Sequence, residues 1–183
     1  AQFALGGDIG DIKTCLIKAR LSAEAVSLYG LKAGGVSAEY LQENGLGQIP
    51  TVRFTFYDGT VEANGTVNFK LAPAAYGVAV NIQGVKLEKL KLDTAVKSEE
   101  IAGSVFSQAK LNGVFKDATA LTGEGKMSIA DGKLWQLNLF KGLGSLLFSR
   151  DFANIVFKQG SCDFLVREKS ISTDNLLLKS DIT

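Results

Sequence analysis

The stretch Thr51–Leu71, TVRFTFYDGTVEANGTVNFKL, decides the fold. Val52, Phe54 and Phe56 alternate with Thr51, Arg53 and Thr55. After Asp58-Gly59 the odd positions Val61, Ala63, Gly65, Val67, Phe69 and Leu71 alternate with Thr60, Glu62, Asn64, Thr66, Asn68 and Lys70. A period of two sends successive side chains to opposite faces of a strand, so both halves read as strands with one dry and one wet face. Asp58-Gly59 signals a two-residue hairpin, because a type I′ turn needs positive φ at both central positions. A reversal there pairs Tyr57 with Thr60, Phe56 with Val61 and Phe54 with Ala63, which keeps both apolar sets on one side.

The same alternation continues outward. Tyr76–Ile82 carries Val78, Val80 and Ile82 on one face, and Leu121–Ile129 carries Leu121, Met127 and Ile129. Asp131-Gly132 then reads as a second hairpin turn leading into Leu134. Further strands are expected over Ile9–Leu21, Ala23–Leu31, Val36–Gln42, Glu100–Ser107, Ala109–Phe115, Ile155–Gln159, Cys162–Arg167 and Ser170–Leu178. Asn64-Gly65 and Asn112-Gly113 sit inside alternating runs and read as bulges or points of close approach rather than turns. Two stretches read as helix. Val85–Leu92 is short and also nearly alternates, whereas Gln136–Arg150 places Asn138, Lys141, Ser145 and Ser149 opposite Leu139, Phe140, Leu143, Leu146 and Leu147. With no Pro- or Ser-rich linker, residues 1–183 read as a single unit. It is a mainly β, long antiparallel meander of about ten strands, curled into a groove or half-barrel, with one amphipathic helix before the last strands.

Composition excludes several functions. The chain has 183 residues, no histidine, and 20 Lys+Arg against 19 Asp+Glu for a formal charge of +1. Ser-His-Asp and Cys-His nucleophile pairs and imidazole metal sites are therefore absent. Near-neutrality argues against a phosphate-tracking surface, so no nucleic-acid partner is expected. Cys15 and Cys162 form no CxxC or zinc pattern, and two small buried thiols are preferred to a pair formed in an oxidising compartment. Asp58 and Asp131 are the first carboxylates to test as a glycosidase pair, but both fall in Asp-Gly turns whose backbone explains the residue type. Neither Gly6-Gly7 nor Gly34-Gly35 has a phosphate-loop frame. No convergent acid, base and nucleophile emerge, and neither cofactor nor metal is expected. Lys86, Lys89, Lys91 and Lys97 interleave with leucines and read as a solvated face in preference to a membrane contact. The chain does not begin with an initiator Met or signal-peptide core, which reads as a segment of something longer.

The quantity of apolar strand face is the residual puzzle. Ten strands at about 4.8 Å spacing make a sheet nearly 50 Å wide, which one helix cannot cover. The dry face must curl on itself, meet a second sheet or hold an apolar ligand. Candidate lining residues are Val52, Phe54, Phe56, Val61, Val67, Phe69, Val78, Val80, Ile82, Met127 and Ile129. For any one of them, packing in a filled core is the plainer alternative to lipid contact. A 16-carbon acyl chain needs about 13 kcal/mol of apolar cover, at about 0.8 kcal/mol per methylene, and an unbroken dry face can supply it.

A family resemblance follows from these motifs. Leu121-Thr-Gly-Glu-Gly-Lys-Met-Ser-Ile-Ala-Asp-Gly-Lys-Leu-Trp135 and the Leu/Phe-rich segment through Phe148 resemble the C-terminal region of AsmA-like proteins. So do Cys162-Asp-Phe164 and Ile171-Ser-Thr-Asp-Asn-Leu-Leu-Leu-Lys-Ser180. Upstream, Val26-Ser-Leu-Tyr-Gly30, Phe56-Tyr-Asp-Gly59 and Tyr76-Gly-Val-Ala-Val-Asn-Ile-Gln-Gly-Val85 fit the same pattern in order. The resemblance implies a non-enzymatic segment of a bacterial envelope protein, related to TamB and the bridge-like lipid-transfer proteins. Its expected place is the periplasm, tethered to the inner membrane by a segment outside this chain. The implied role is carrying acyl chains of phospholipid in a β-groove between inner and outer membranes, in outer-membrane biogenesis. The helix at 136–150 would plug one end of the groove or touch a membrane surface. The alternative is a structural or assembly module that binds other envelope proteins through its sheet edges.

Overall fold

The computed structural model describes residues 1–7, 11, 13, 15–94, 101–134 and 158–180. Among them the chain forms one antiparallel sheet in plain meander order: β1 (Gln2–Gly6), β2 (Leu16–Leu28), β3 (Leu31–Glu43), β4 (Leu46–Phe56), β5 (Gly59–Asn68), β6 (Ala75–Lys86), β7 (Ile101–Val114), β8 (Asp117–Leu134), β9 (Gln159–Arg167) and β10 (Ser170–Ser172). A last short strand, β11 (Leu177–Lys179), pairs with β9 beyond the reach of β10. Helix α1 (Leu87–Leu90) and a 3₁₀ turn at Lys91–Asp93 follow β6, where the Val85–Leu92 pattern was ambiguous between strand and helix. The amphipathic helix expected over 136–150, the first part of the strand expected over 155–159 and Lys97 lie outside the described residues.

The meander is as the alternation predicts, but its shape is more open. The sheet is not closed and not strongly curled, so the expected half-barrel is not formed by these strands. β1 was not anticipated, because five residues give too few alternations to count. Glu100–Ser107 and Ala109–Phe115 are one continuous strand, β7.

Both Asp-Gly readings need correction. The β4–β5 register pairs Phe54 with Val61 and Phe56 with Gly59, so the two-residue turn sits one residue earlier than expected and each partner is shifted by two. The turn residues are Tyr57 (φ 45°) and Asp58 (φ 65°), which supply the two positive φ values of a type I′ turn. A shift of two preserves the parity of the side chains, so the apolar face survives the error. Gly59 has a different duty. A Cβ there would lie 2.5 Å from the Val85 amide nitrogen and 2.6 Å from the Gln83 carbonyl oxygen, on the bulge at Gly84 of the neighbouring strand. Asp131-Gly132 does not reverse the chain. β8 runs through it to Leu134, still paired with β7, and Asp131 (φ 51°) forms a bulge opposite Gly103.

Further register shifts fall between Ile49 and Val52 on β4 and between Ile82 and Val85 on β6. Such bulges bend a strand and add twist. Asn64-Gly65 and Asn112-Gly113 lie inside strands without reversal; a ring carbon of Tyr76 would sit 2.6 Å from a Cβ at Gly113, so close approach is the reason there. Cys15 and Cys162 lie about seven strand spacings of ~4.8 Å apart, beyond disulfide reach.

Candidate functional site: a continuous apolar sheet face

Side chains paired across a sheet share a face, so the registers can be read as rows running across the strands. One row is Leu21–Ala38–Val52–Ala63–Val80–Ala109–Gly125–Phe164, crossing eight strands from β2 to β9 without a polar side chain. Seven strand spacings make it about 34 Å long. The row beside it, one residue along each strand, is Ser22–Ser37–Arg53–Glu62–Asn81–Gln108–Lys126–Asp163, polar throughout. Arg53–Glu62 and Lys126–Asp163 are ion pairs across that wet face. Two adjacent rows of opposite character make this a two-faced sheet.

Parallel dry rows widen the apolar face. They are Phe54–Val61–Ile82–Ser107–Met127–Cys162, Ile49–Gly65–Val78–Leu111–Gly123–Val166–Ile171, and Val85–Val105–Ile129–Gly160. The one hydroxyl in the first of these, Ser107, donates to the Lys126 carbonyl at 3.0 Å and so turns its polar atom onto the neighbouring backbone. Phe54 and Phe56 meet edge to face with ring centroids 6.0 Å apart. The Phe164 ring lies directly across Gly125, which has no side chain to lift it. At one corner the face ends in polar groups: Tyr40 donates to Gln42 at 2.6 Å, and the Gln42 amide donates to the Lys13 carbonyl at 3.1 Å.

All the candidate lining residues that lie within strands belong to this face. Val52, Phe54, Phe56, Val61, Val67, Val78, Val80, Ile82, Met127 and Ile129 share it, while Phe69 lies past the end of β5 in the turn, its amide bonded to the Gly45 carbonyl. The sequence reading missed Leu111, Val105, Phe164 and Val166. Their signal was present in the period-two pattern of β7 and β9, but Ser107 interrupts the hydrophobicity of β7 and the run was divided there. Val61 is buried (7% exposed) at the centre, whereas Met127 is 39% exposed. Among the described residues a concavity of about 850 Å³ is lined by polar side chains of the wet row, Glu62, Asn81, Gln108, Lys126 and Asp163 among them, together with Ala63, Val80, Ala109 and Phe164 of the dry row.

The chemistry available elsewhere is structural. Lys32 Nζ contacts Asp93 Oδ1 at 3.0 Å, the Tyr57 hydroxyl donates to Asp93 Oδ2 at 2.9 Å, and that hydroxyl accepts from the Lys32 amide at 3.2 Å. The hydrogen bond from Lys32, then that from Tyr57, hold the Asp93 carboxyl below the usual carboxylate range, and the same bond raises Lys32. Burial pushes the Tyr57 phenol up, assisted by Asp93. Burial would raise Glu88, but backbone N–H bonds, including one from Gly103 at 3.1 Å, outweigh it and lower that carboxyl. Asp58 is paired with Lys89. Among the described residues no group of carboxylates and thiols is arranged to hold a metal ion, and no helix is long and apolar enough to cross a membrane. Set beside known proteins, the chain matches no family model, no curated protein and no solved structure.

Proposed function

We propose that the dry face binds the acyl chains of phospholipid or a similar lipid, without catalysis, as one stretch of a β-groove in the bacterial envelope. The carrying observation is the Leu21-to-Phe164 row, eight strands wide with no polar side chain, next to a row that is polar throughout. A filled core explains alternation just as well, but it needs a second layer against the face, and only Cys15, Val61, Val85 and Val166 are buried among the described apolar residues. An acyl chain lying on an open face loses water from about half its circumference. For 16 carbons that is worth roughly 6 kcal/mol, half of full burial. Such a contact holds a chain yet lets it slide, which suits a conduit better than a tight carrier. The resemblance to AsmA-like proteins supports the same reading, and with it a periplasmic location and transport between the two membranes. The bulges in β4 and β6 are where the sheet would bend round its cargo as a groove.

Native mass spectrometry of the protein, with lipids identified in an organic extract, tests this. The expected result is co-purifying phospholipid that falls by about tenfold in Val80→Asp, because a buried carboxylate opposes apolar contact. Asn81→Asp, on the wet face of the same strand, should retain it. Lipid-free protein, or equal retention by both variants, would overturn the proposal.

A further inference from the structure

We infer that the rim formed by the β2–β3 hairpin and the 3₁₀ turn after α1 is where the sheet meets a bilayer, so that lipid enters the dry face over this edge. The inference rests on the acyl-binding reading for its purpose, but it stands on separate residues. Leu28, Tyr29 and Leu92 are 66%, 96% and 77% exposed. They lie at one end of the sheet: a Cβ at Gly30 would be 3.7 Å from the Asp93 carbonyl oxygen, and Lys32 reaches the Asp93 side chain.

The rim is continuous with the dry face. Glu24 and Gly35 (φ 56°) both drop out of the β2–β3 pairing, which resumes with Ala25 opposite Gly34 and Gly34 opposite Thr55 of the wet face. The parity of both strands is thereby reversed, and Val26, Leu28, Leu31 and Ala33 fall on the same side as Phe54. Without that double skip, Leu28 would point to the wet side.

Three features select a bilayer as the occupant. A fully exposed tyrosine between apolar neighbours on a protruding tip suits the boundary between headgroups and acyl chains, where its ring is dry and its hydroxyl wet. Among the described residues, four lysines, Lys32, Lys86, Lys89 and Lys91, stand around the tip against three carboxylates, Asp58, Glu88 and Asp93. Each carboxylate is compensated from within: Asp58 by Lys89, Asp93 by Lys32 and Tyr57, Glu88 by the Gly103 amide. Among the described residues, a negative surface therefore meets a tip with an excess of one positive charge.

Flotation with vesicles of phosphatidylethanolamine and phosphatidylglycerol, and separately of phosphatidylcholine, tests the inference. The protein should float with the anionic vesicles and less with the neutral ones. Replacing Leu28, Tyr29 and Leu92 by serine should reduce the floating fraction about tenfold. Tyr29→Ser alone should reduce it measurably, at a position too exposed to affect folding. Leu71→Ser with Phe115→Ser, at the other end of the sheet, should leave it unchanged. The inference is overturned if the native chain does not float or if the rim variant floats as well as the native chain. It is overturned equally if the two ends contribute alike. Lipid extracted from the rim variant separates the two proposals. Lost flotation with bound lipid retained supports both, and lost flotation from a chain that never carried lipid keeps the membrane contact and removes the acyl-binding reading.

Discussion

Gly59 carries more of the architecture than its place after Asp58 suggests. The turn's left-handed positions are Tyr57 and Asp58, while Gly59 lies against the β6 bulge with no room for a methyl group. The Lys86 amide, just past that bulge, donates to the Tyr57 carbonyl at 2.9 Å and fixes the turn against it. Gly59→Ala drives a carbon into backbone atoms that cannot rotate away, so it should cost about 3 kcal/mol, measured as a shift in the urea midpoint. Asp58→Asn should stay within about 0.5 kcal/mol, since asparagine tolerates positive φ and the ion pair lost is exposed. Were Gly59 merely a turn residue, the two substitutions would differ far less.

At the scale of elements, the 3₁₀ turn after α1 is bound to β3 and to the β4–β5 turn through Asp93, Lys32 and Tyr57. This latch holds the apolar rim together. Its pH dependence follows from the two shifts. Asp93, with its carboxyl lowered from 3.8, contributes stability above that value and loses it as pH falls through the depressed one. Lys32, raised from 10.5, contributes fully below that value and loses it as pH rises through the elevated one. The difference in Tm between the native chain and Asp93→Asn should therefore be flat from about pH 5 to 9 and shrink on either side. A difference that does not shrink toward acid pH would assign the latch to packing and not to charge.

On the scale of the whole molecule, the open sheet formed by the described residues has its strongest region at the middle strands, which are paired on both sides along their length. β5, β6 and β7 meet this description. β1 is five residues long and β10 and β11 are three each, all at the edges. Amide hydrogen exchange should accordingly be slowest in β5–β7 and fall away toward both edges, with β1, β10 and β11 near the unprotected limit. Uniform protection across the sheet would mean that the edges are covered in solution.

Alternation in Thr51–Leu71, Tyr76–Ile82 and Leu121–Ile129 was enough to name an antiparallel meander and to put nearly every candidate lining residue on one face. The reason is local: a period of two assigns each side chain to a face whatever its neighbours are, and an error of two residues in a hairpin leaves that assignment intact. Phe69 falls just past the end of β5, because alternation does not mark where a strand stops. The duties of Gly59 and Asp131, the parity reversal that brings Leu28 onto the dry face, and the sheet's open shape depend on bulges. A bulge is an agreement between two strands distant in the chain, over backbone room and hydrogen bonds, and only the assembled sheet holds both parties to it.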